Sequence, residues 1–399
     1  MVLVVSISLI FKNRDSLSPA YVPKVLPHRE KQINFLLNMF GEAIKRRSHM
    51  RSLQLIGGVG TGKTATVKRF SEELKRKAGE YGNDLKVVYI NLRIEGPSRF
   101  LIFSSILNKI APEISVRGYS PEEMLGIIVS YLIEKEKLAL IILDEVDYHI
   151  MRRPKDKIVY DLTRLDEIAV HEYSNVIGTI FIARNSKWTE HLDKAELSTL
   201  GRVQIKFQPY NAKQLSDILE HRCKLSFREG VVDHEVIDFI SHVTAKPPIN
   251  GDARYALDLL FYGGIIAEEK GSKKVTAEHV RLVHSSLCPT ISSEDIASLP
   301  IERLYVLLAV ARALKNAETP YVHIKEIEET YKIICEEKGI PKIIDLYEVI
   351  DDLAIRELIL IRGVTKISII GVSAEKLLNY IDNIMRRIET AIQQDKRWH

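Results

Sequence analysis

The chain has 399 residues, of which 46% are hydrophobic, so it is long enough for two or three domains with ordinary cores. Its net charge of +4 permits a nucleic-acid partner without requiring one, because 57 basic residues nearly balance 53 acidic ones. Three cysteines, Cys223, Cys288 and Cys335, lie far apart without CxxC spacing and support neither a disulfide framework nor a zinc site.

The amino-terminal segment is apolar but is not typical of a signal peptide. Residues 1–11 lack a basic leading segment and a small-residue cleavage site, so we expect an early strand or a disordered end. No apolar run reaches the roughly 20 residues that a membrane-spanning helix needs. The sequence therefore predicts a cytoplasmic protein with no membrane partner.

Short β-rich runs alternate with helical patterns in the first half of the chain. The runs are SLQLI (52–56), KVVYIN (86–91), LALIIL (138–143), VIGTIFIA (176–183) and VQIKF (203–207). Apolar runs of this kind, separated by helical segments, belong to a parallel sheet that is buried between helices. The chain shows no repeat of 20 to 50 residues, which argues against a solenoid or a propeller.

The second half is mainly helical. Residues 211–284 have helical spacing with breaks at Lys246-Pro247-Pro248 and at Gly263-Gly264, which predicts a small helical lid. After a short polar linker, helices at 299–314, 323–337 and 343–355 precede strands at 357–361 and 366–371, a turn at Gly363 and a last helix from Ser373. This pattern is typical of a winged helix, although a generic helical interaction domain is an alternative. The predicted boundaries are 1–207 for the core, 208–288 for the lid, 289–298 for the linker and 299–399 for the winged helix.

A complete GxxxxGK[ST] motif lies at 57–64, between a β-rich run and a helical segment. Its glycines let successive backbone N–H groups face phosphate oxygens at the start of the next helix, whereas a simple glycine-rich turn is the alternative. Lys63 is expected to reach the β- and γ-phosphates, and Thr64 to bind Mg²⁺. The predicted nucleotide contacts of this loop are Gly58, Val59, Gly60, Thr61, Gly62, Lys63, Thr64 and Ala65.

An apolar strand that ends in two carboxylates follows about 80 residues later, at 140–145 (LIILDE). In a parallel sheet the two motifs emerge at the same edge, so Asp144 is expected to bind Mg²⁺ and Glu145 to polarise the attacking water. An acidic pair that merely begins a solvated loop is the alternative. The phosphate loop earlier in the chain favours the first interpretation, in which this strand and its two carboxylates form a Walker B motif.

Two further polar residues are candidates for sensing the nucleotide. Asn185 follows the run 176–183 after one arginine and is placed to orient water, although an asparagine there also fits a turn. Arg254 begins a predicted lid helix and could touch the γ-phosphate, whereas a surface arginine is the alternative.

Taken together, these residues resemble the archaeal replication-initiator family of AAA+ ATPases, which is related to origin-recognition subunits and to the cell-division-cycle helicase loader. Residues 27–30 (PHRE) resemble the family's segment beside the adenine, which implies contacts from Pro27, His28 and Arg29. Residues 209–211 (PYN), with Tyr210, resemble the start of the lid, and 252–254 (DAR) its second sensor. The resemblance covers nearly the whole chain and implies an α/β fold with an αβα AAA+ core, a helical lid and a carboxyl-terminal winged helix.

The resemblance also implies a function. Such proteins are ATP/ADP-switched initiators that bind double-stranded origin DNA, help to recruit the replicative helicase and hydrolyse ATP slowly with Mg²⁺. A second initiator paralogue is a possible partner, and the location would be the cytoplasm, at the nucleoid. The sequence departs from the family at 192–201 (LDKAELSTLG), where Ala195 and Thr199 stand at positions usually held by arginines. Lys194 and Arg202 are out of register, so we assign no arginine finger, which favours an ADP-locked monomer.

The predicted DNA contacts are sparse. Residues 289–399 contain 15 basic and 18 acidic residues, a net charge of −3. The presumed recognition helix carries several carboxylates, which repel phosphates unless they face away from the duplex. The remaining cations at the edge of this domain are Lys342, Arg356, Arg362 and Lys366, for which scattered solvated charges are the alternative. In the core, where the family uses a helical insertion to touch DNA, the candidates are Arg99 and Lys109.

Two other functions fit the same motifs. One is a signalling or regulatory AAA-like ATPase whose acidic carboxyl-terminal domain binds protein. The other is a transposition-type helper ATPase, which would form ATP-dependent filaments on DNA without sequence choice.

Overall fold

The computed structural model of the chain describes residues 8–46, 49–96, 98–169, 173–288, 291–317, 319–341 and 345–395. They form two units. The sheet unit consists of Val22–Tyr210 and Asn250–Ala253, and the helical unit of the described residues of Met1–Tyr21, Asn211–Ile249 and Arg254–His399. Most of the predicted strand or disordered end at 1–11 lies outside the described residues. Within them, no helix combines the length and the apolarity needed to cross a bilayer.

A parallel five-stranded sheet, in the order β2-β3-β4-β1-β5, forms the centre of the sheet unit. The strands are β1 (Arg51–Ile56), β2 (Leu85–Asn91), β3 (Leu138–Asp144), β4 (Val176–Ala183) and β5 (Gln204–Lys206). Every residue of β3 and β4 is buried, because helices cover both faces of the sheet. The five predicted strands and the α/β fold are confirmed.

The helices of this unit pack on opposite faces of the sheet. They are α1 (Glu30–Arg46), α2 (Lys63–Glu80), α3 (Arg99–Ile110), α4 (Pro121–Glu134), α5 (Val146–Arg152), α6 (Ile158–Thr163), α7 (Leu165–Ile168) and α8 (Lys194–Leu200), with a 3₁₀ helix at Ser186–His191. Helices α1 and α2 bury Phe40 and Phe70 against one face. On the other face, Phe103 of α3 and Trp188 of the 3₁₀ helix are buried.

The strand register places the polar ends of several strands along one edge of the sheet. Asn91 at the end of β2 pairs with Asp144 at the end of β3, and Ile56 at the end of β1 pairs with Ala183 at the end of β4. The carboxyl ends of parallel strands are where α/β proteins bind their ligands. The loop after β1 therefore lies beside the loop after β4.

The lid of the helical unit contains α9 (Ala212–Ser226), α10 (His234–Ala245), α11 (Ala253–Glu269) and α12 (Ala277–Leu287). The predicted break at 246–248 is confirmed, but the predicted break at Gly263-Gly264 is wrong, because α11 runs through both glycines. Gly264 is needed for close packing instead. A Cβ atom there would lie 2.5 Å from the ring of Phe11 and 2.9 Å from that of Phe227.

The segment before α1 packs against the lid, although the sequence analysis assigned residues 1–207 to the core. Phe11 is buried with its ring 4.9 Å from that of Phe227. The guanidinium of Arg222 on α9 donates to the carbonyl oxygens of Ser16 and Tyr21 at 2.6 and 3.1 Å. Aromatic burial and these hydrogen bonds attach residues 8–21 to the lid helices.

The rest of the helical unit is a winged helix, as predicted. It contains α13 (Ser293–Ala297), α14 (Ile301–Asn316), β6 (Val322–His323), α15 (Ile324–Lys338), α16 (Leu346–Ile355), β7 (Leu360–Arg362), β8 (Lys366–Ser368) and α17 (Ala374–Asp395). Strands β7 and β8 form the predicted hairpin, and β6 adds a third antiparallel strand. The predicted linker contains α13, whose Ile296 is buried in the winged-helix core.

Candidate nucleotide site and DNA-contact residues

The phosphate loop joins β1 to α2, so Lys63 and Thr64 are the first residues of that helix. Gly60 and Gly62 both have left-handed φ angles, +69° and +85°. A Cβ atom at Gly60 would lie 1.8 Å from Asp252 Oδ1, and one at Gly62 would lie 2.5 Å from the hydroxyl of Tyr210. Only glycine fits at these two positions, so the loop keeps its backbone amides near the start of α2.

The side chain of Lys63 lies over this loop. Its Nζ donates to the carbonyl oxygens of Gly57 and Gly58 at 2.6 and 2.8 Å. Thr61 is buried and its hydroxyl donates to the Gly58 carbonyl at 2.9 Å, which closes the turn. The remaining predicted loop residues, Val59 and Ala65, belong to the same turn and to the first turn of α2, respectively.

Asp144 is buried at the end of β3 and is held by three donors. Thr64 Oγ1 and the Tyr89 hydroxyl donate to its Oδ2 at 2.7 and 2.5 Å, and the backbone N–H of Glu145 donates to its Oδ1 at 2.8 Å. The two predicted metal ligands are thus in contact. Their hydroxyl and carboxylate oxygens are the kind of ligand that Mg²⁺ takes.

The sequence analysis missed Tyr89. Burial, reinforced by the nearby Asp144, raises the pKa of the Tyr89 hydroxyl, so this group is a neutral hydrogen-bond donor at pH 7. In the sequence, Tyr89 was only one residue of a β-rich run, and nothing marked it as a site residue. The contact with Asp144 depends on the register between β2 and β3, which the sequence does not show.

Glu145 immediately precedes α5, as its N-cap residue, and has a left-handed φ of 58°. Its Oε2 is buried and receives no hydrogen bond from the part of the chain that the structure describes. It forms long ion pairs with the guanidinium groups of Arg184, at 3.6 Å, and Arg93, at 3.8 Å. Neither arginine was singled out in this role by the sequence.

Asn185 follows β4 and is exposed. Its Oδ1 accepts a hydrogen bond from the Lys187 N–H at 3.0 Å and thereby caps the 3₁₀ helix. This is the turn role that the sequence analysis weighed as the alternative. A sensing role for Asn185 stays a prediction.

The segment predicted to lie beside the adenine supports the phosphate loop. Arg29 is buried, and its Nε and Nη2 donate to the Thr61 carbonyl at 3.1 and 2.6 Å. Its guanidinium lies 4.0 Å from the centre of the Tyr210 ring. Burial lowers the pKa of Arg29, partly opposed by Tyr210. Pro27 and His28 precede Arg29 and are partly exposed.

Arg254 lies in the first turn of α11 and belongs to the helical unit. The preceding residue, Ala253, belongs to the sheet unit, and its N–H donates to the Gly60 carbonyl at 3.2 Å. A contact of Arg254 with the nucleotide stays a prediction.

The predicted DNA contacts in the core are engaged within the sheet unit. Arg99 Nε donates to Asp161 at 2.7 Å, and its guanidinium also pairs with Glu122. Lys109 Nζ donates to Glu95 at 2.6 Å and to the Tyr89 carbonyl at 2.9 Å. DNA would have to compete with these partners.

The predicted contacts in the winged helix differ from one another. Arg356 Nε donates to Asp352 at 2.9 Å, and Arg362 pairs with Asp238 of the lid. Lys366 is exposed directly after the turn of the wing hairpin, and Lys342 lies outside the described residues. Lys366 is therefore the most available of the predicted wing cations.

A phosphate loop, a neighbouring strand that ends in Asp144 and Glu145, a helical lid and a winged helix define an ATPase of the AAA+ class. Three family models match in this order: "AAA domain" at residues 46–188, "Cdc6 AAA+ ATPase-type lid domain" at 216–285 and "CDC6, C terminal winged helix domain" at 294–374.

Relatives and solved structures agree with these matches. The chain is 34% identical over 331 residues to the ORC1-type DNA replication protein of Thermococcus kodakarensis, covering 82% of this chain and 78% of that protein. It is 31% identical to ORC1-type DNA replication protein 1 of Archaeoglobus fulgidus, covering 88% and 85%. The chain therefore belongs to the family of ORC1/Cdc6-type DNA replication initiators.

Two solved structures are similar over nearly the full length. Cdc6p from Pyrobaculum aerophilum has a TM-score of 0.83 at 29% identity and covers 95% of this chain and 99% of its own. The Aeropyrum pernix ORC1 protein, solved in complex with DNA, has a TM-score of 0.61 at 29% identity and covers 96% and 100%.

Proposed function

We propose that this initiator binds duplex origin DNA, uses bound ATP or ADP as a switch, and helps to recruit or load the replicative helicase. The observation that carries the proposal is the similarity, along nearly the whole chain, to an ORC1 protein solved in complex with DNA. The membership of the chain in the same replication family supports it.

The nucleotide part of the proposal follows from the contacts of the loop. Lys63 already lies over the loop carbonyls, so it can move onto the β- and γ-phosphates with little cost in side-chain entropy. The described residues contain no group of three or more histidine, cysteine or carboxylate side chains fit to hold a metal. Mg²⁺ would therefore arrive with the phosphates, bound by Thr64 and Asp144.

Thr64 and Asp144 would hold Mg²⁺, which would supply positive charge to neutralise the charge that develops on the phosphates. Asp144 is held in place for this role by Tyr89 and by the Glu145 N–H. Glu145 polarises the attacking water, Asn185 orients it, and Arg254 senses the γ-phosphate from the lid.

We propose that hydrolysis is slow and that ADP is retained. At the positions where the family has arginines, Ala195 is followed by Thr199, whose hydroxyl accepts from Thr163 at 2.7 Å. Thr199 therefore binds a residue of its own domain and supplies no positive charge to the ATP of a neighbouring subunit. With no arginine finger from a neighbour, turnover depends on the residues of one subunit.

DNA binding is proposed to involve the wing, with Lys366 as the leading cation. The test measures DNA binding by gel shift, with origin-derived and random duplexes at low salt. Lys366→Ala should weaken binding to both duplexes and reduce the salt slope by about one counterion, because a phosphate contact carries no sequence information. Lys315→Ala, which removes an exposed cation from the end of α14, is the matched control. Absence of any shift at low salt would contradict the proposed function.

A second candidate function is favoured by the exposed face of α16. Glu348 and Asp351 are exposed there beside Ile355, which is 81% exposed. An acidic and apolar face fits a protein partner better than DNA phosphates. Co-sedimentation with the purified replicative helicase, or with a second initiator paralogue, supports the initiator. Binding only to receptors or transcription proteins would support a regulatory ATPase instead.

A further inference from the structure

Arg29 is a buried cation that lies against the phosphate loop. The residue is 5% exposed, and its Nε and Nη2 both donate to the Thr61 carbonyl. Its Nη1 donates to the carbonyl of His28 at 2.8 Å. Among the described residues, the partners of this guanidinium are neutral carbonyls and aromatic rings, and none is a carboxylate. The carboxylate of the next residue, Glu30, is exposed and forms no ion pair with it.

Two aromatic rings hold the guanidinium in place. It lies 4.0 Å from the ring centre of Tyr210 and 5.2 Å from that of Phe207, and both rings are buried. Cation–π contacts of this kind stabilise a desolvated guanidinium. We call Arg29 and these two rings the arginine brace. The brace also touches the loop at Gly62, where a Cβ atom would lie 3.4 Å from Arg29 Nε.

The brace fixes the direction of one peptide group of the loop. The peptide bond between Thr61 and Gly62 is trans, so its C=O and its N–H point in opposite directions. Because Arg29 holds the C=O, the N–H of Gly62 points away from the brace. Gly62 is the N-cap residue of α2, and N–H groups at such a position are suited to bind an anion. A donor that is already oriented loses less conformational entropy when the phosphates bind.

The charge of Arg29 has no counter-charge in an ion pair. An arginine stays protonated at neutral pH, and a buried cation without a paired carboxylate is costly. A polyphosphate bound to the amides of the loop would bring negative charge to the other side of the same peptide group. The nucleotide would therefore offset part of the cost of burying Arg29.

We propose that Arg29 is a positioning residue for the phosphates of the nucleotide, and that it takes no part in the choice of base. This inference rests on the proposed nucleotide binding and deepens it. The family resemblance placed Arg29 beside the adenine, and the two roles differ in what they predict. An adenine contact distinguishes ADP from GDP, whereas a residue that orients the loop affects both diphosphates equally.

The test is equilibrium binding of a fluorescent ADP analogue to the full chain after removal of bound nucleotide, with ATP, ADP and GDP as competitors. Arg29→Met should weaken ATP and ADP about tenfold to hundredfold, the effect of losing hydrogen bonds from a charged donor. GDP should weaken by the same factor, so the ratio of the ADP and GDP affinities stays unchanged. Arg29→Lys keeps the charge but loses the planar fork, and its affinities should fall between the two.

Arg222→Met is the matched control for the loss of a buried arginine. Arg222 is buried in the helical unit, donates to the carbonyls of Ser16 and Tyr21, and lies 5.2 Å from the ring centre of Tyr21. Its replacement should lower the melting temperature as Arg29→Met does, because both remove a buried guanidinium with carbonyl and ring partners. The affinities of Arg222→Met for the three nucleotides should nevertheless equal those of the unaltered protein.

The outcomes separate this inference from the proposed function. Unchanged ADP affinity in Arg29→Met overturns the inference, and so does a loss for ADP without an equal loss for GDP. If Arg29→Met does not fold, Arg29→Lys decides by the same comparison of ADP with GDP. Failure of the unaltered protein to bind any of the three nucleotides overturns the proposed function as well.

Discussion

Replacing Tyr89 with phenylalanine tests how Asp144 is prepared for magnesium. The hydroxyl donates to Asp144 Oδ2 at 2.5 Å, whereas the ring only packs in the sheet unit, so the change removes one hydrogen bond and little volume. Hydrogen bonds to charged groups contribute about 1.5–3 kcal/mol. Because Thr64 and the Glu145 N–H still hold Asp144, we expect the lower limit, about 1.5 kcal/mol or roughly tenfold in magnesium affinity.

The assay is ATP hydrolysis as a function of Mg²⁺ concentration. Tyr89→Phe should need about ten times more Mg²⁺ for half-maximal turnover, with nearly the same rate at saturation. Tyr119→Phe, at an exposed tyrosine before α4, is the control. A shift of less than twofold in Tyr89→Phe would refute the view that this hydroxyl positions the metal ligand.

Two stability predictions concern the helical unit. Arg281 is fully buried and donates to the Pro320 carbonyl at 2.7 Å and to Ser368 Oγ at 3.0 Å. Arg281→Met should therefore lower the free energy of unfolding, measured by urea denaturation, by about 3 kcal/mol. A change below about 0.5 kcal/mol would contradict this role. Burial lowers the pKa of His284 to about 4, so its stabilising effect is present above about pH 6.5, the value for the unfolded chain, and is lost as the pH falls toward 4. Between pH 7 and pH 5 the free energy of unfolding should fall by about 2 kcal/mol because of this group. His284→Asn keeps an acceptor for Tyr255 and should remove this pH-dependent loss. An unchanged pH dependence of the unfolding free energy in that variant would contradict a buried neutral imidazole.

The sequence predicted the sheet and the phosphate loop well because both leave local signals. Strands β3 and β4 are buried on both faces and therefore consist of continuous apolar runs. Gly60 and Gly62, the phosphate-loop glycines with positive φ, belong to a motif whose spacing is itself diagnostic. Each feature is encoded within a few neighbouring residues.

Features that depend on distant partners were not predictable. Gly264 suggested a helix break. Its lack of a side chain instead leaves room for the ring of Phe11, which lies more than 250 residues earlier in the chain. Strand β6 has only two residues and carries no periodic pattern. The role of Tyr89 depends on a strand register, which propensity does not determine.

The charged candidates show the same limit. A basic residue at a suitable place in the sequence predicts a DNA contact only if no carboxylate of the protein already binds it. Arg99 pairs with Asp161, 62 residues away, and Arg362 with Asp238 on the lid. Conversely, the proximity of Arg93 and Arg184 to Glu145 arises from three different loops at one sheet edge.

The central claim is that Lys63 and the backbone amides of its loop bind the polyphosphate of ATP. Asp144 binds Mg²⁺, and Glu145 polarises the water that attacks the γ-phosphate. The most direct test is equilibrium binding of a fluorescent ATP analogue to Lys63→Ala and Glu145→Gln, followed by turnover of ATP. The account predicts that Lys63→Ala loses binding, whereas Glu145→Gln binds as the unaltered protein does and stops turnover. Unchanged affinity in Lys63→Ala would contradict the account.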